Sequence, residues 1–572
     1  MTRLLEGRHV GEPDSAPAPG LTPGSNVKGA VGGANWSFLL PSLDLGRIVC
    51  LGCPTAAALD TLARLGDEVV VCAPSAALRR LGRALGPGEP PNLTLLAAPR
   101  RGSAPLADAC ADLVVVPRLP LRRRAVADRL GQVRRLLTQD GVAYVEGRFR
   151  TRIDEGAPLW LAPAAGEVRL AAPLADGRAI AYLERSFLRR HLLRRQLVRR
   201  PRRVLARHLA VTRIVRRRGA LVGGPTGRGG AEVPRYIRAI AAAAGVDVED
   251  KRWALSAPGD YPSQKVLVFL FAPAAQRPDT VVKITRDPAL NHRLENEWRA
   301  LEILRGRGIG AGAGVPDPLF MGSHRGLAVL GESAIDGAPF RERTRAAADC
   351  PQARAAVDWL VDLGARTVAR ATEEDPGALA ELGPRLERFT RIYRLSAEHQ
   401  RRLGSYAAAL TASAAGFPLV FQHGDPGPWN VLVTGDGRPA FLDWEAAEPR
   451  GMPLWDLFHF LRSFSLQVSQ RAGTRDPLQS FAEQFLEQSD VHGLLVDATS
   501  RFRSRTGLAA DLVEPLFYTC WMHRALKEAA TLPPGRLDQG RYVGILRLAL
   551  EQREAPGLRA LFSRAAIVAR EP

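Results

Sequence analysis

The chain has 572 residues, 46% of them apolar, and a formal net charge of +20. That length exceeds a single core and implies about two to four domains, and the absence of an apolar run of about 18 residues argues against a membrane-spanning helix. The charge is local: residues 181–230 carry 15 basic groups and 1 acidic group, whereas residues 231–572 carry 42 and 41, so nucleic acid is not the expected partner.

Residues 1–40 are rich in Gly, Pro, Ala and Ser and read as a disordered tail. They hold no apolar signal core, so a cytoplasmic location is expected. From 41 to 180 short apolar runs alternate with helical patterns. RIVCLG (47–52), EVVVCA (68–73), DLVVVP (112–117) and GVAYVEG (141–147) read as buried strands, with TAAALDTLARLG and VADRLGQVRRLL as helices between them. This alternation implies a parallel, doubly wound sheet. The lone Cys50-x-x-Cys53 lacks a second ligand pair, so the six cysteines read as small buried hydrophobes rather than a zinc site.

Residues 181–230 form the linker that carries the charge. Fourteen arginines and no acid lie between Arg185 and Arg218, with leucines and valines recurring at helical spacing on either side of Pro201. Three readings stay open: a helix on an anionic membrane surface, a grip on a polyanion, or a connector packed on its neighbours. Arginine is inflated here by what reads as a GC-rich bacterial genome. Lysine stands at only five positions, 28, 251, 265, 283 and 527, and is the informative cation.

After 231 the outline is two lobes, β-rich over 231–335 and helical over 336–570. The segment from 418 to 461 carries the chemistry. Asp425 and Asn430 have D-x-x-x-x-N spacing, Asp443 follows the strand AFL, and the turn GDGR (435–438) joins two strands as a hairpin. Phosphoryl transfer needs a carboxylate for the attacking hydroxyl, oxygen ligands for magnesium and a cation for the phosphates. HGDPGPWNVL followed by FLDWE resembles the signature of the aminoglycoside phosphotransferase and choline kinase superfamily, which has a protein-kinase-like fold. The resemblance covers roughly residues 235–550.

It implies an ATP- and Mg2+-dependent transferase acting on a small-molecule hydroxyl. Asp425 would be the catalytic base, Asn430 and Asp443 the metal ligands, His423 a brace for the loop, and Asp456 its tether. Lys283, mid-strand in DTVVKITRD, would contact the nucleotide phosphates and pair with Glu297, or else with Glu295. SAPGDYPSQK (256–265) would lie over the phosphates, and GLAVLGES (326–333) would be the hinge that holds adenine. Residues 47–147 resemble a class I S-adenosylmethionine-dependent methyltransferase, but Cys50 and Cys72 stand where that family places acids. That half is therefore expected to bind S-adenosylmethionine weakly or not at all. Two alternatives remain: a bifunctional methyltransferase–kinase, and a pseudokinase scaffold recruited to a membrane by residues 185–218.

Overall fold

The structure is a computed structural model. It describes residues 33–98, 104–120, 123–147, 157–163, 167–188, 219–223, 232–257, 265–345 and 350–563. The phosphate-loop expectation at 258–264 and nearly all of the arginine segment, from 189 to 218, lie outside the described residues.

The expected N-terminal elements form. Strands β1 (Leu45–Leu51), β2 (Gly66–Ala73), β3 (Leu93–Ala97), β4 (Ala111–Val116) and β5 (Leu137–Gly147) pair in the order β5-β4-β1-β2-β3, all parallel. Helices α1 (Ala56–Leu65), α2 (Ser75–Leu85) and α3 (Arg123–Leu136) connect them. Successive side chains of β1 serve opposite faces. Ile48 and Cys50 join one core cluster, while Val49 and Leu51 join another. Burial on both faces explains the unbroken apolar runs of these strands.

The sheet does not stop at β5. Strand β6 (Ala157–Ala162), the hairpin partner β7 (Leu170–Pro173) and β8 (Gly219–Gly223) extend it antiparallel, and β7 then pairs with β9 (Arg252–Ser256). Strands β10 (Val266–Phe271), β11 (Thr280–Ile284), β12 (Pro318–His324) and β13 (Leu327–Ser333) complete the β-rich lobe, in the order β9-β10-β11-β13-β12. Among the described residues, 13 strands thus form one sheet. The expected boundaries at 180 and 231 fall inside it. Composition marks the basic stretch as a linker, but strand pairing across it is a long-range event that local composition does not encode.

Residues 34–40 also depart from expectation. The tail is expected to run to residue 40, yet Asn35–Leu39 forms a 3-10 helix and Phe38, Leu39 and Leu40 are buried. Trp36 stacks on Tyr144 with ring centroids 3.8 Å apart. Asn35 donates to the Val168 carbonyl at 2.8 Å and accepts from Arg286, so it touches both halves of the sheet. The apolar residues Trp36, Phe38, Leu39 and Leu40 outweigh the polar composition around them, and they share one core with Val266, Val268 and Leu270 of β10.

The other face of the same sheet carries α3, then α4 (Gly177–Leu183) with the π-helical turn Glu184–Leu188, and then the cleft between the lobes. Helix α5 (Arg235–Ala243) joins residues 34–43 on the first face, and α6 (Asn291–Gly306) follows β11. The helical lobe holds two small sheets, the paired strands Ala338–Pro339, Val431–Val433 and Pro439–Phe441, and Ala369–Arg370, Pro418–Gln422 and Glu448–Gly451. Several of its helices, α7 (Pro351–Thr367), α8 (Trp455–Ala472), α9 (Val513–Ala529) and α10 (Arg541–Glu551) among them, contribute to one apolar core. No described helix is long and apolar enough to cross a membrane.

Trp36→Ala tests whether residues 34–40 belong to the core. Truncating a buried aromatic typically costs about 3–5 kcal/mol, so the urea midpoint should fall clearly. An unchanged midpoint would detach this segment from the folded unit.

Candidate active site

The loop after Gln422 is held from both sides. The half-buried Asp456 carboxylate, at the start of α8, accepts the backbone N–H groups of His423 at 2.5 Å and Gly424 at 3.0 Å. His423 donates Nε2–H to the Leu442 carbonyl at 3.1 Å and accepts the Asp425 N–H on Nδ1 at 3.2 Å, which fixes one neutral tautomer. Burial pushes its imidazole pKa down, in keeping with that state. Gly424 sits at φ +80°, and a Cβ there would lie 2.0 Å from the Ala446 carbonyl oxygen; only glycine fits.

Four donors converge on the Asp425 carboxylate, which stays partly open to solvent. Oδ1 accepts from His459 Nε2 at 3.1 Å and Arg524 Nη2 at 3.0 Å; Oδ2 accepts from Trp429 Nε1 at 3.1 Å and Asn430 Nδ2 at 3.3 Å. Burial works against its charge. The His459 and Trp429 hydrogen bonds and the Arg524 guanidinium outweigh burial and hold the carboxyl well below the usual range. Burial and Arg524 push His459 down to about 3, so at neutral pH it acts on Asp425 as a hydrogen-bond donor and the charge is supplied by Arg524. Lys527 donates to the Gly424 carbonyl at 3.3 Å.

Asn430 uses its amide nitrogen on Asp425, which leaves its amide oxygen for a cation. Its backbone carbonyl accepts from Leu442 N at 2.8 Å, and this sets Asn430 beside Asp443. Asp443 adopts φ +70°, a left-handed conformation uncommon outside glycine that marks a constrained site.

Across the cleft, Lys283 of β11 donates to Glu297 at 2.6 Å and Glu332 at 2.8 Å. Of the two expected carboxyl partners, the structure selects Glu297, fully buried on α6. A second lysine, Lys265, contacts Glu297 at 3.2 Å, Glu445 at 3.0 Å and also Asp443. Two ammonium groups therefore face four carboxyls. Glu297 lies between both lysines and, despite its burial, is held at about 2. Burial raises Glu332 to about 7 against the pull of Lys283, and it raises Glu445 too. Lys265, Lys283, Glu332, Asn430, Asp443 and Glu445 line one cavity of about 1140 Å³. Asp425 adjoins it through Trp429 and Asn430.

The expected hinge, 326–333, is strand β13 instead; its end at Glu332–Ser333 reaches the cavity, and the following Ala334–Pro339 lines it. In the N-terminal half, Cys50 and Cys72 are buried at the ends of β1 and β2. Burial pushes both thiols up, Cys72 to about 11.

Residues 265–489 match the model of the phosphotransferase enzyme family. The chain is similar in fold to an aminoglycoside phosphotransferase of Streptomyces rimosus solved with ADP and streptomycin, at 18% identity over 44% of this chain and 90% of that one, with a TM-score of 0.28. It is also similar to a choline/ethanolamine kinase family protein of Mesorhizobium loti, at 18% identity over 52% and 88%, TM-score 0.29. A methyltransferase-like protein of Pseudomonas syringae aligns at 20% identity over 19% of this chain and 69% of that one, TM-score 0.18. A comparison with curated proteins finds no match.

Within the matched segment and just beyond it, sequence reasoning missed Lys265, Glu332, Glu445, His459, Arg524 and Lys527. One signal was available: three of the five lysines, 265, 283 and 527, stand at the site.

Lys283→Met leaves Glu297 and Glu332 with only Lys265 to balance them. Breaking a buried pair from one side typically costs about 3–5 kcal/mol. Loss of the ammonium raises the folded pKa of both carboxyls. A carboxyl raised in this way keeps its full stability contribution below its unfolded pKa and loses it as pH rises. The stability deficit of the variant should therefore be larger at pH 8 than at pH 5. Urea denaturation at both pH values measures it, and equal deficits would remove the charge explanation.

Proposed function

We propose that this chain transfers the γ-phosphoryl group of ATP, with Mg2+, to a hydroxyl of a small molecule. The observation that carries the reading is the excess of carboxyl over ammonium groups at one wall of the cavity, beside the amide oxygen of Asn430 and next to Asp425. Magnesium is commonly held by one or two protein oxygens together with substrate phosphates rather than by an all-protein cage. Asn430 and Asp443 make a set of that size, and Asp443 already takes a cationic partner in Lys265, which supports the reading.

Bound there, magnesium would neutralise charge on the β- and γ-phosphates. Lys283, held rigid by Glu297 and Glu332, would meet the phosphates from the β-rich lobe. Lys265 would leave Asp443 and turn to the same oxygens. Asp425 would orient the acceptor hydroxyl and take its proton. Its low pKa suits it to orient the hydroxyl and to accept the proton late, as the oxygen is already bonding to phosphorus. Arg524 and His459 keep the carboxylate ionised and fix its rotamer. For the N-terminal half we propose no methyl transfer, because the buried thiols of Cys50 and Cys72 stand where acids would bind the cofactor's polar groups.

Asp425→Asn tests the assignment. Loss of a general base typically lowers turnover by about two to four orders of magnitude. The variant should lose phosphotransfer to that degree while ADP affinity, measured by calorimetry, stays close to wild type. Near-native turnover would remove Asp425 from the base role.

A further inference from the structure

The cavity has two chemically distinct ends. Leu267 and Phe269 of β10 share one face, with Lys265 just before the strand, and Val281 and Lys283 of β11 stand opposite Phe269 and Leu267 on that face. The charged end holds Lys265, Lys283 and the carboxyls. The far end, at Leu267, Phe269 and Val281, is apolar. There α4 and its π-helical turn close over the sheet. Tyr182 meets Phe269 edge-on with centroids 5.3 Å apart, and Phe187 lies 5.5 Å from the same ring. Tyr182, Arg185, Ser186 and Phe187 line the cavity together with Lys283 and Asp443. These residues come from the stretch that joins the N-terminal strands to the β-rich lobe, well outside the matched segment 265–489.

From this geometry we propose that the connector Gly177–Leu188 walls the base end of the nucleotide pocket, with Phe187 stacked on the nucleobase. The inference rests on the phosphotransferase reading above. A nucleotide is a polyanion joined to a flat aromatic ring, and the cavity presents matching ends to each. Phe187 is only partly buried by its neighbours, so its ring keeps surface to offer. A pocket wall lent by the connector ties nucleotide occupancy to the strand bridge β6–β9, so the N-terminal half contributes to the nucleotide site without chemistry of its own.

Calorimetric titration with ADP and Mg2+ on wild type, Phe187→Leu and Phe187→Trp tests it. Leucine keeps apolar packing against Phe269 but removes the aromatic face; tryptophan keeps both. ADP affinity should fall about tenfold in Phe187→Leu, in line with the contribution of base–aromatic stacking, with an unchanged urea midpoint. Phe187→Trp should bind ADP within about threefold of wild type, and its fluorescence difference from wild type should change when ADP is added. Wild-type affinity in Phe187→Leu, or a tryptophan signal blind to ADP, overturns the proposal. Failure of wild type itself to bind ADP would instead bring down the nucleotide reading on which it rests.

Discussion

Glu297 is the group on which the active-site architecture depends. Its carboxylate is fully buried on α6 and accepts from Lys283 at 2.6 Å, from Lys265 at 3.2 Å and from the Trp444 backbone N–H at 2.9 Å. A buried carboxylate without such partners would cost several kcal/mol or give up its charge. These three contacts recruit β11, the start of β10 and the segment that carries Asp443. One side chain thus fixes the spacing of both lysines and of the metal-ligand candidate across the cleft. Asn296 beside it donates to the carbonyls of Glu445 at 3.1 Å and Ala447 at 2.9 Å, so α6 holds the Asp443–Ala447 backbone along with the charge.

A second constraint comes from the continuous sheet. Strand β7 hands over to β9 at only two paired positions, Leu170 with Ser256 and Ala171 with Leu255. The seam is therefore secured by what covers it. On one face the 34–43 segment and α5 span it; on the other, α4 packs Ala179 and Leu183 with Trp160 of β6 and Phe271 of β10. The two halves share a core, and relative motion between them would expose apolar surface. The β-rich and helical lobes are also joined by apolar packing, since Leu301 and Leu304 of α6 belong to the core of the helical lobe, and they part at the cavity lined by Lys283 and Asp443.

The surroundings of Asp425 are cationic. Arg524 pairs with it, Lys527 stands over Gly424, and Arg462 and Arg524 both lie over the Tyr542 ring, at 5.4 and 5.3 Å from its centroid. Burial and neighbouring positive charge bring the Arg462 guanidinium down to about 10. This environment keeps Asp425 ionised without a protonated histidine, so the ionisation state of the proposed base is insensitive to pH near neutrality.

Much of the fold was legible because it is written in local patterns. The strands at 47–52, 68–73, 112–117 and 141–147 announce themselves as apolar runs, and the hairpin around Asp436 as a Gly-rich turn. The Asp425–Asn430–Asp443 set was legible because all three lie within 19 residues and their spacing is imposed by one loop and one hairpin. The sequence also narrowed the partner of Lys283 to two glutamates. Tertiary structure chose Glu297, because only one of two residues that are two positions apart on a helix can face the sheet. It alone brought Lys265 to Asp443, 178 residues away, and Arg524 to Asp425 from the far end of the chain. It alone drew Trp36 and Phe38 out of a polar stretch into the core and carried the sheet through a segment whose composition reads as a linker. Strand pairing and charge pairing at such separations depend on which surfaces meet, and no local pattern of residues records that.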